Sequence, residues 1–344
     1  MPETPLVSVV IPVYNRADLI RRAVESALSQ GVAELEVIVV DDGSSDATAE
    51  VVRDLAREDP RVRLLQQENG GSGAARHTGL HAARGEFVAF LDSDDYWLPE
   101  YLRTQLRLLQ EADPEVVAVV CNGTAVEQGK PDASHFAEAG YEPPASEPTV
   151  IAEPRQLWEP FMAPYIQATI YRREALLGAD AFSVRLRNSD DFETLVRMSF
   201  AGRFIVNPVS LFIQDRGLSG QTSHNLVTKV RPSFYEARCI AAHFAYEHDR
   251  EPALRARDKQ AYAQACRSYL RALARESGAA AARRQVGRLF ACGWHAKSAL
   301  LGLFFLLGGP GVWLWESMSR IKEGRKTPGA AALSALPNEG GEVA

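Results

Sequence analysis

The chain has 344 residues, 46% hydrophobic and 24% charged, with a formal charge of −6. That length suits a large α/β domain with an appendage, the composition excludes wholesale disorder, and the charge gives no basic field of the kind that nucleic-acid binders carry, so no nucleic-acid partner is expected. The four cysteines, Cys121, Cys239, Cys266 and Cys292, form no Cys-x-x-Cys pair. Neither a zinc knuckle nor a disulfide framework is expected, and a reducing cytoplasm fits. Met-Pro-Glu-Thr-Pro at the start has no basic n-region and no small-residue cleavage site, so export is not expected.

In chain order, β-rich runs at 7–11 (VSVVI), 36–40 (EVIVV), 62–66 (VRLLQ), 86–91 (EFVAFL) and 116–121 (VVAVVC) alternate with helical patterns. Alternation of this kind predicts βαβ units around a mostly parallel sheet. Leu19, Ile20, Ala23, Val24, Ala27 and Leu28 recur at helical spacing, with Asp18 placed to cap them. From Gly123 to Pro154 the texture turns to Gly, Pro, Ser and Glu, which predicts a long loop or an antiparallel excursion. A helix over 192–200 and a strand over 203–207 follow. Beyond Thr228 the chain reads as helical, and after Lys326 as a disordered tail.

In an open parallel sheet, ligands bind beyond the carboxyl ends of the strands. The residues there are Pro12-Val13-Tyr14-Asn15-Arg16, Asp41-Asp42-Gly43-Ser44 and Asp92-Ser93-Asp94-Asp95. Carboxylates packed at one strand end repel unless a cation neutralises them, and oxygen-only ligation points to Mg²⁺ or Mn²⁺. The alternative is a solvated acidic turn capping the helix that begins near Pro99. Asp41 and Asp42 likewise have a structural alternative, as turn formers before a helix. Gly71-Ser72-Gly73 supplies the first two glycines of a dinucleotide fingerprint. Arg76 stands where the third should be, so that reading fails, and a turn into a helix that aims Arg76 at the site is preferred.

The segments VSVVIPVYN, VVDDGSSD, ENGGSGAARHTGL and FLDSDDYWLP, in this order and spacing, resemble the inverting family 2 of the glycosyltransferases. The resemblance implies an α/β GT-A fold with a Rossmann-like half, 1–121, for the nucleotide-diphosphate sugar and a second half, 122–225, for the acceptor. A helical C-terminal region, 226–326, and the tail 327–344 complete the expected organisation. Carried over by position, Pro12, Tyr14 and Asp42 contact the nucleoside, with Asn15 and Ser93 beside them on the donor side, and Arg76 lies close to the nucleotide. Asp92 and Asp94 match the ends of the DxD motif, Asp94 as the ligand of Mn²⁺ or Mg²⁺ and Asp92 as a second candidate. The segment Asn188-Ser189-Asp190-Asp191-Phe192 is similar to the family's acidic pair, which makes Asp191 the general base and Asp190 its neighbour. The alternative for both is a helix start, where carboxylates are favoured.

Many relatives have a histidine-containing loop near the position of Gln214–Ser219, where none stands here; His224 follows and is not assigned to the metal. A Gln-x-x-Arg-Trp motif and multiple spans are also absent, so single addition is expected over polymerisation. UDP is the expected donor nucleotide, and a cell-surface glycan or lipid-linked precursor the expected acceptor. Within 294–318, the uncharged run Ala299–Trp315 is broken by Gly308-Gly309-Pro310-Gly311 and flanked by basic residues and tryptophans. Peripheral attachment to the cytoplasmic face of the inner membrane is the reading adopted; a core hairpin or a homodimer interface is the alternative. Two rival functions are a catalytically inactive relative that binds a nucleotide sugar and a nucleotide-sugar pyrophosphorylase. The second should carry a basic Gly-rich loop where Pro12–Asn15 stand.

Overall fold

The computed structural model describes residues 4–127, 129–157, 165–182, 186, 190–216 and 232–285. Among these residues a ten-stranded mixed sheet is built from β1 (Val7–Val13), β2 (Leu35–Asp41), β3 (Val62–Gln66), β4 (Phe87–Phe90), β5 (Tyr96–Trp97), β6 (Val116–Glu127), β7 (Lys130–Ser134), β8 (Thr149–Ile151), β9 (Thr169–Arg172) and β10 (Arg203–Asp215). The helices are α1 (Ile20–Leu28), α2 (Thr48–Glu58), α3 (Ser72–Ala82), α4 (Tyr101–Glu111), α5 (His135–Glu138), α6 (Arg173–Gly178), α7 (Asp190–Ala201), α8 (Pro232–His248), α9 (Pro252–Ser277) and α10 (Ala279–Arg284).

Strand order is β3-β2-β1-β4-β9-β6-β10-β5, with β7 on β6 and β8 on β10. The first four are parallel, as the alternation predicts, and every residue of β1 and β2 is buried, which is why those strands are near-continuous Val and Ile. The sheet then departs from the parallel expectation. β9, from much later in the chain, inserts antiparallel between β4 and β6. Its Arg172 donates to the carbonyls of Val116 and Leu109, at 2.9 and 2.8 Å, which ties the insertion to the flank of β6. Because β9 runs opposite to β4, the chain just before it, at Gln167, lies beside the end of β4 that carries the acidic turn.

The 123–154 stretch is an antiparallel excursion, with β6 prolonged to Glu127 and folded back as β7. Asp18 caps nothing in α1: the N-cap is Leu19 with no side-chain bond, and the carbonyl of Arg16 takes the N–H groups of Leu19 and Ile20 instead. α3 lies close on β1, where a Cβ on Gly79 would meet Val10 Cγ1 at 2.3 Å.

The chain divides into two compact units, Met1–Tyr269 and Leu270–Ala344. Within the first unit α8 packs on α7, with Phe200 edge-on to Phe244 at 5.7 Å, and Arg155 joins the buried carboxylates of Asp249 and Asp258. Among the described residues no helix is long and apolar enough to cross a membrane. Asn188, Ser189, His224, the segment 294–318 and the tail 327–344 lie outside the described residues.

Candidate active site

The carboxyl ends of β1, β2 and β4 carry the expected residues, and most are already committed to one another. Asp42 is buried and accepts from Gln67 Nε2 at 2.7 Å and from the backbone N–H groups of Gly70 and Gly71 at 2.9 and 2.7 Å. That carboxylate shapes the glycine turn, whose Gly71 has φ +92°, and an ionised carboxylate has about four lone-pair sites, which leaves room for a further donor. Asn15, with φ +50°, accepts from Ser45 N–H at 2.8 Å, while its own N–H donates to Ser44 Oγ at 2.9 Å. Pro12 is buried in β1 opposite Val40, whereas Tyr14 beside it is 48% exposed, so of the pair only the tyrosine offers a free ring face.

Arg76 occupies the centre. Gly73, one turn before it in α3, stands where a Cβ would be 2.8 Å from the carbonyl of Leu186 and 3.1 Å from Asp190 Cβ, so the α3 and α7 N-termini can meet only at glycine. The approach lets buried Arg76 bridge Asp190 Oδ2 and Asp92 Oδ1, each at 2.5 Å, while Ser72 Oγ donates to Asp190 Oδ1 at 2.9 Å. Burial opposes the charge on Arg76, but the carboxylates of Asp190, Asp92 and Asp191 outweigh it and hold the guanidinium protonated. Three segments far apart in sequence are joined by one cation.

Asp191 is the next residue along α7. Burial, and then the charge of Asp190, push it up to about 6 against the pull of Arg76 and of the Phe192 N–H, which donates to Asp191 Oδ1 at 2.8 Å. Asp190 and Asp191 do begin the helix, so the structural and chemical readings hold at once. A carboxyl poised near neutrality, not locked as an anion, has the proton affinity a general base needs.

The acidic turn does not cap a helix. α4 starts at Tyr101, and β5 stands between it and Asp95. Ser93 and Asp95 are buried, and Asp92 and Asp94 half-buried. Burial, and then Asp92, raise Asp94 above the usual carboxylate range. Among the described residues the Asp94 carboxylate takes no hydrogen bond beyond that of its own backbone N–H, although the charges of Arg16 and Arg22 reach it, while one oxygen of Asp92 is taken by Arg76. No three His, Cys, Asp or Glu side chains form a cage among the described residues. The arrangement fits a hard divalent cation held at one or two carboxylate oxygens and completed by ligand phosphates.

Sequence reasoning missed four polar residues that hold the site: Gln67 on Asp42, Ser72 on Asp190, Arg22 on the carbonyl of Asp94 at 2.6 Å, and Gln167 on Asp95 at 2.5 Å. Gln67 and Ser72 had a signal, since they flank the glycine turn. Arg22 and Gln167 had none, because their contacts span 72 positions each.

Residues 8–176 match the model of glycosyl transferase family 2. EpsH of Bacillus subtilis strain 168 is 36% identical over 210 residues, 60% of this chain and 58% of that one. Chondroitin synthase of Pasteurella multocida strain Pm70 is 34% identical over 200 residues, 58% of this chain and 19% of that one. The chain thus spans less than two thirds of either relative. Among solved structures, TarS residues 1–349 of S. aureus in complex with UDP superposes with a TM-score of 0.63 at 20% identity, covering 94% of this chain and 93% of that one. The mannosyltransferase PcManGT of Pyrobaculum calidifontis, in complex with GDP-Man and Mn²⁺, gives 0.53 at 23% identity over 93% and 85%. The likeness to these structures establishes the GT-A fold, α8–α10 make the described part of the C-terminal region helical, and residues 8–176, about half of the chain, belong to glycosyltransferase family 2.

Proposed function

We propose that the protein transfers a sugar from a nucleotide-diphosphate donor to an acceptor hydroxyl in one displacement, with inversion at the anomeric carbon. The observation that carries this reading is the Asp92–Arg76–Asp190 bridge, which sets a carboxyl held near 6, that of Asp191, into the same cluster as the acidic turn. In this reading Asp191 takes the proton of the incoming hydroxyl as its oxygen attacks opposite the departing diphosphate. Asp190, Ser72 and Arg76 fix the backbone from which Asp191 projects. Tyr14 and Asn15 border the nucleoside, Asp42 keeps the glycine turn in shape beneath it, and Ser93 packs inside the turn that presents Asp92 and Asp94. Asp94, with Asp92 second, would hold Mn²⁺ or Mg²⁺, which when bound neutralises charge growing on the leaving phosphate.

UDP is the first nucleotide to test, since TarS is solved with UDP and with UDP-GlcNAc; GDP follows, from the PcManGT complex. The acceptor in this reading is a cell-surface glycan or a lipid-linked precursor, and residues 294–318 would bring the enzyme to the membrane that carries it. Calorimetric titration with UDP, GDP and TDP, with and without Mn²⁺, tests the donor site. Binding of one nucleotide that strengthens with Mn²⁺, and loses that gain in Asp94→Ala, is the expected result. No binding to any of the three refutes the donor site, and binding without turnover on any acceptor supports an inactive relative.

A further inference from the structure

The acidic turn is gripped from outside by groups that the roles above do not use. Buried Asp95 accepts from Gln167 Nε2 at 2.5 Å and from the backbone N–H of Asp215, at the end of β10, at 3.1 Å. Arg22, on α1, donates Nη2 to the carbonyl of Asp94 at 2.6 Å and Nη1 to Asp215 Oδ2 at 2.8 Å. Its guanidinium lies over the Tyr96 ring, 4.7 Å from the centroid. The Trp97 indole N–H closes the ring of contacts on the carbonyl of Gln167 at 2.9 Å. Consecutive residues of the turn are therefore each pinned, Asp94 by its carbonyl, Asp95 by its side chain, Tyr96 by its ring face.

The way Arg22 holds Asp94 is informative. A cation hydrogen-bonded to the Asp94 carboxylate would take a metal's place; Arg22 acts on that carboxylate through its charge alone and places its hydrogen bond on the carbonyl, which fixes the backbone and leaves the carboxylate oxygens open to a ligand. A planar fork is suited to serving two acceptors at once, which a lysine ammonium does less well. Arg22 is also 38% exposed at its side chain, so its pair with Asp215 adds little to global stability. A residue with little to contribute to stability and a short bond to the candidate metal ligand's backbone is placed for function.

We propose that Arg22 is a positioning residue for Asp94, acting through the carbonyl of that residue, and that Asp215 holds Arg22 in the required pose. The inference rests on the reading of Asp94 as a metal ligand. Outer partners of metal ligands typically tune affinity by about 10- to 100-fold, and that is the scale expected here.

The test uses the full chain and titrates UDP, GDP and TDP with and without Mn²⁺ into wild type, Arg22→Met, Arg22→Lys and Asp215→Asn. Arg22→Met is expected to cut the Mn²⁺-dependent gain in nucleotide affinity about 10- to 100-fold, leave metal-free affinity unchanged, and lower Tm by no more than about 2–4 °C. Arg22→Lys should recover part of the gain and Asp215→Asn should lose part of it. Wild-type metal dependence in Arg22→Met overturns the proposal while leaving the metal ligand in place. Parallel loss of metal-free and metal-dependent binding, with a large fall in Tm, also overturns it, in favour of a folding role. If wild type shows no Mn²⁺-dependent binding, the metal-ligand reading itself fails and this inference falls with it.

Discussion

With the Asp191 carboxyl held near 6, kcat/KM for the proposed transfer is expected to rise about tenfold per pH unit below 6 and to level off above it. Burial sets this value first, and Asp190, Arg76, the Phe192 N–H and Asp92 adjust it, so a downward shift of the limb in Asp190→Asn would check the part of the neighbouring charge. Asp191→Asn should lower turnover by about 10²- to 10⁴-fold while nucleotide affinity holds; a large loss of nucleotide affinity instead would place Asp191 on the donor side. The stability sign runs the other way from that of a salt-bridged carboxylate. Because the folded value is raised, the neutral form is favoured by folding, and that contribution is full below the unfolded value and lost as pH rises through about 6. Asp191→Asn should therefore melt above wild type well above pH 6 and alike well below 4, which thermal melts across pH would show. The residue type and its place in the acidic pair were legible in the sequence. The raised proton affinity was not, since it comes from burial.

Among the elements, the meeting of α3 and α7 decides whether the site forms. An isolated helix gains about 1 kcal/mol when glycine becomes alanine, yet Gly73→Ala places a methyl 2.8 Å from the Leu186 carbonyl and 3.1 Å from Asp190 Cβ. The expected outcome is a loss of about 1–3 kcal/mol by denaturant melts, with activity falling further because the Arg76–Asp190 bond is levered apart. Gly178→Ala, at the end of α6 where a Cβ meets nothing within 4 Å, is the matched control: activity should be unchanged, and stability equal to wild type or higher by up to about 1 kcal/mol. Helical spacing found α1, and the β-rich runs and the helix expected over 192–200 fall on the parallel strands and on α7, since these patterns repeat locally. It could not foresee β9 between β4 and β6, because the partner of an antiparallel insertion is chosen by the whole sheet.

On the scale of the molecule, the first helices after the sheet are fastened by a largely buried charge cluster. Arg155 donates to Asp249 and to Asp258, the latter at 3.0 Å, and its side chain is 12% exposed against 7% and 3% for the two carboxylates. Burial holds Asp258 above the usual carboxylate range even with Arg155 bonded to it. Arg155→Met would strand both carboxylates, with an expected loss of about 3–5 kcal/mol at neutral pH. That loss should shrink toward pH 5, because folded-state carboxylates raised by the change regain stability on protonation; equal loss at both pH values would point to packing instead. The sequence by itself determined the family, the strand-end residues Asp42, Asp92, Asp94 and the acidic pair, because those signals lie within short, ordered motifs at strand ends. Only the tertiary structure decided that Arg76 bridges Asp92 to Asp190, that Arg22 grips the Asp94 carbonyl, and that α8 and α9 dock through Arg155. Each of those contacts joins segments between 16 and 114 positions apart, and no local pattern encodes which distant partner a charged side chain will find.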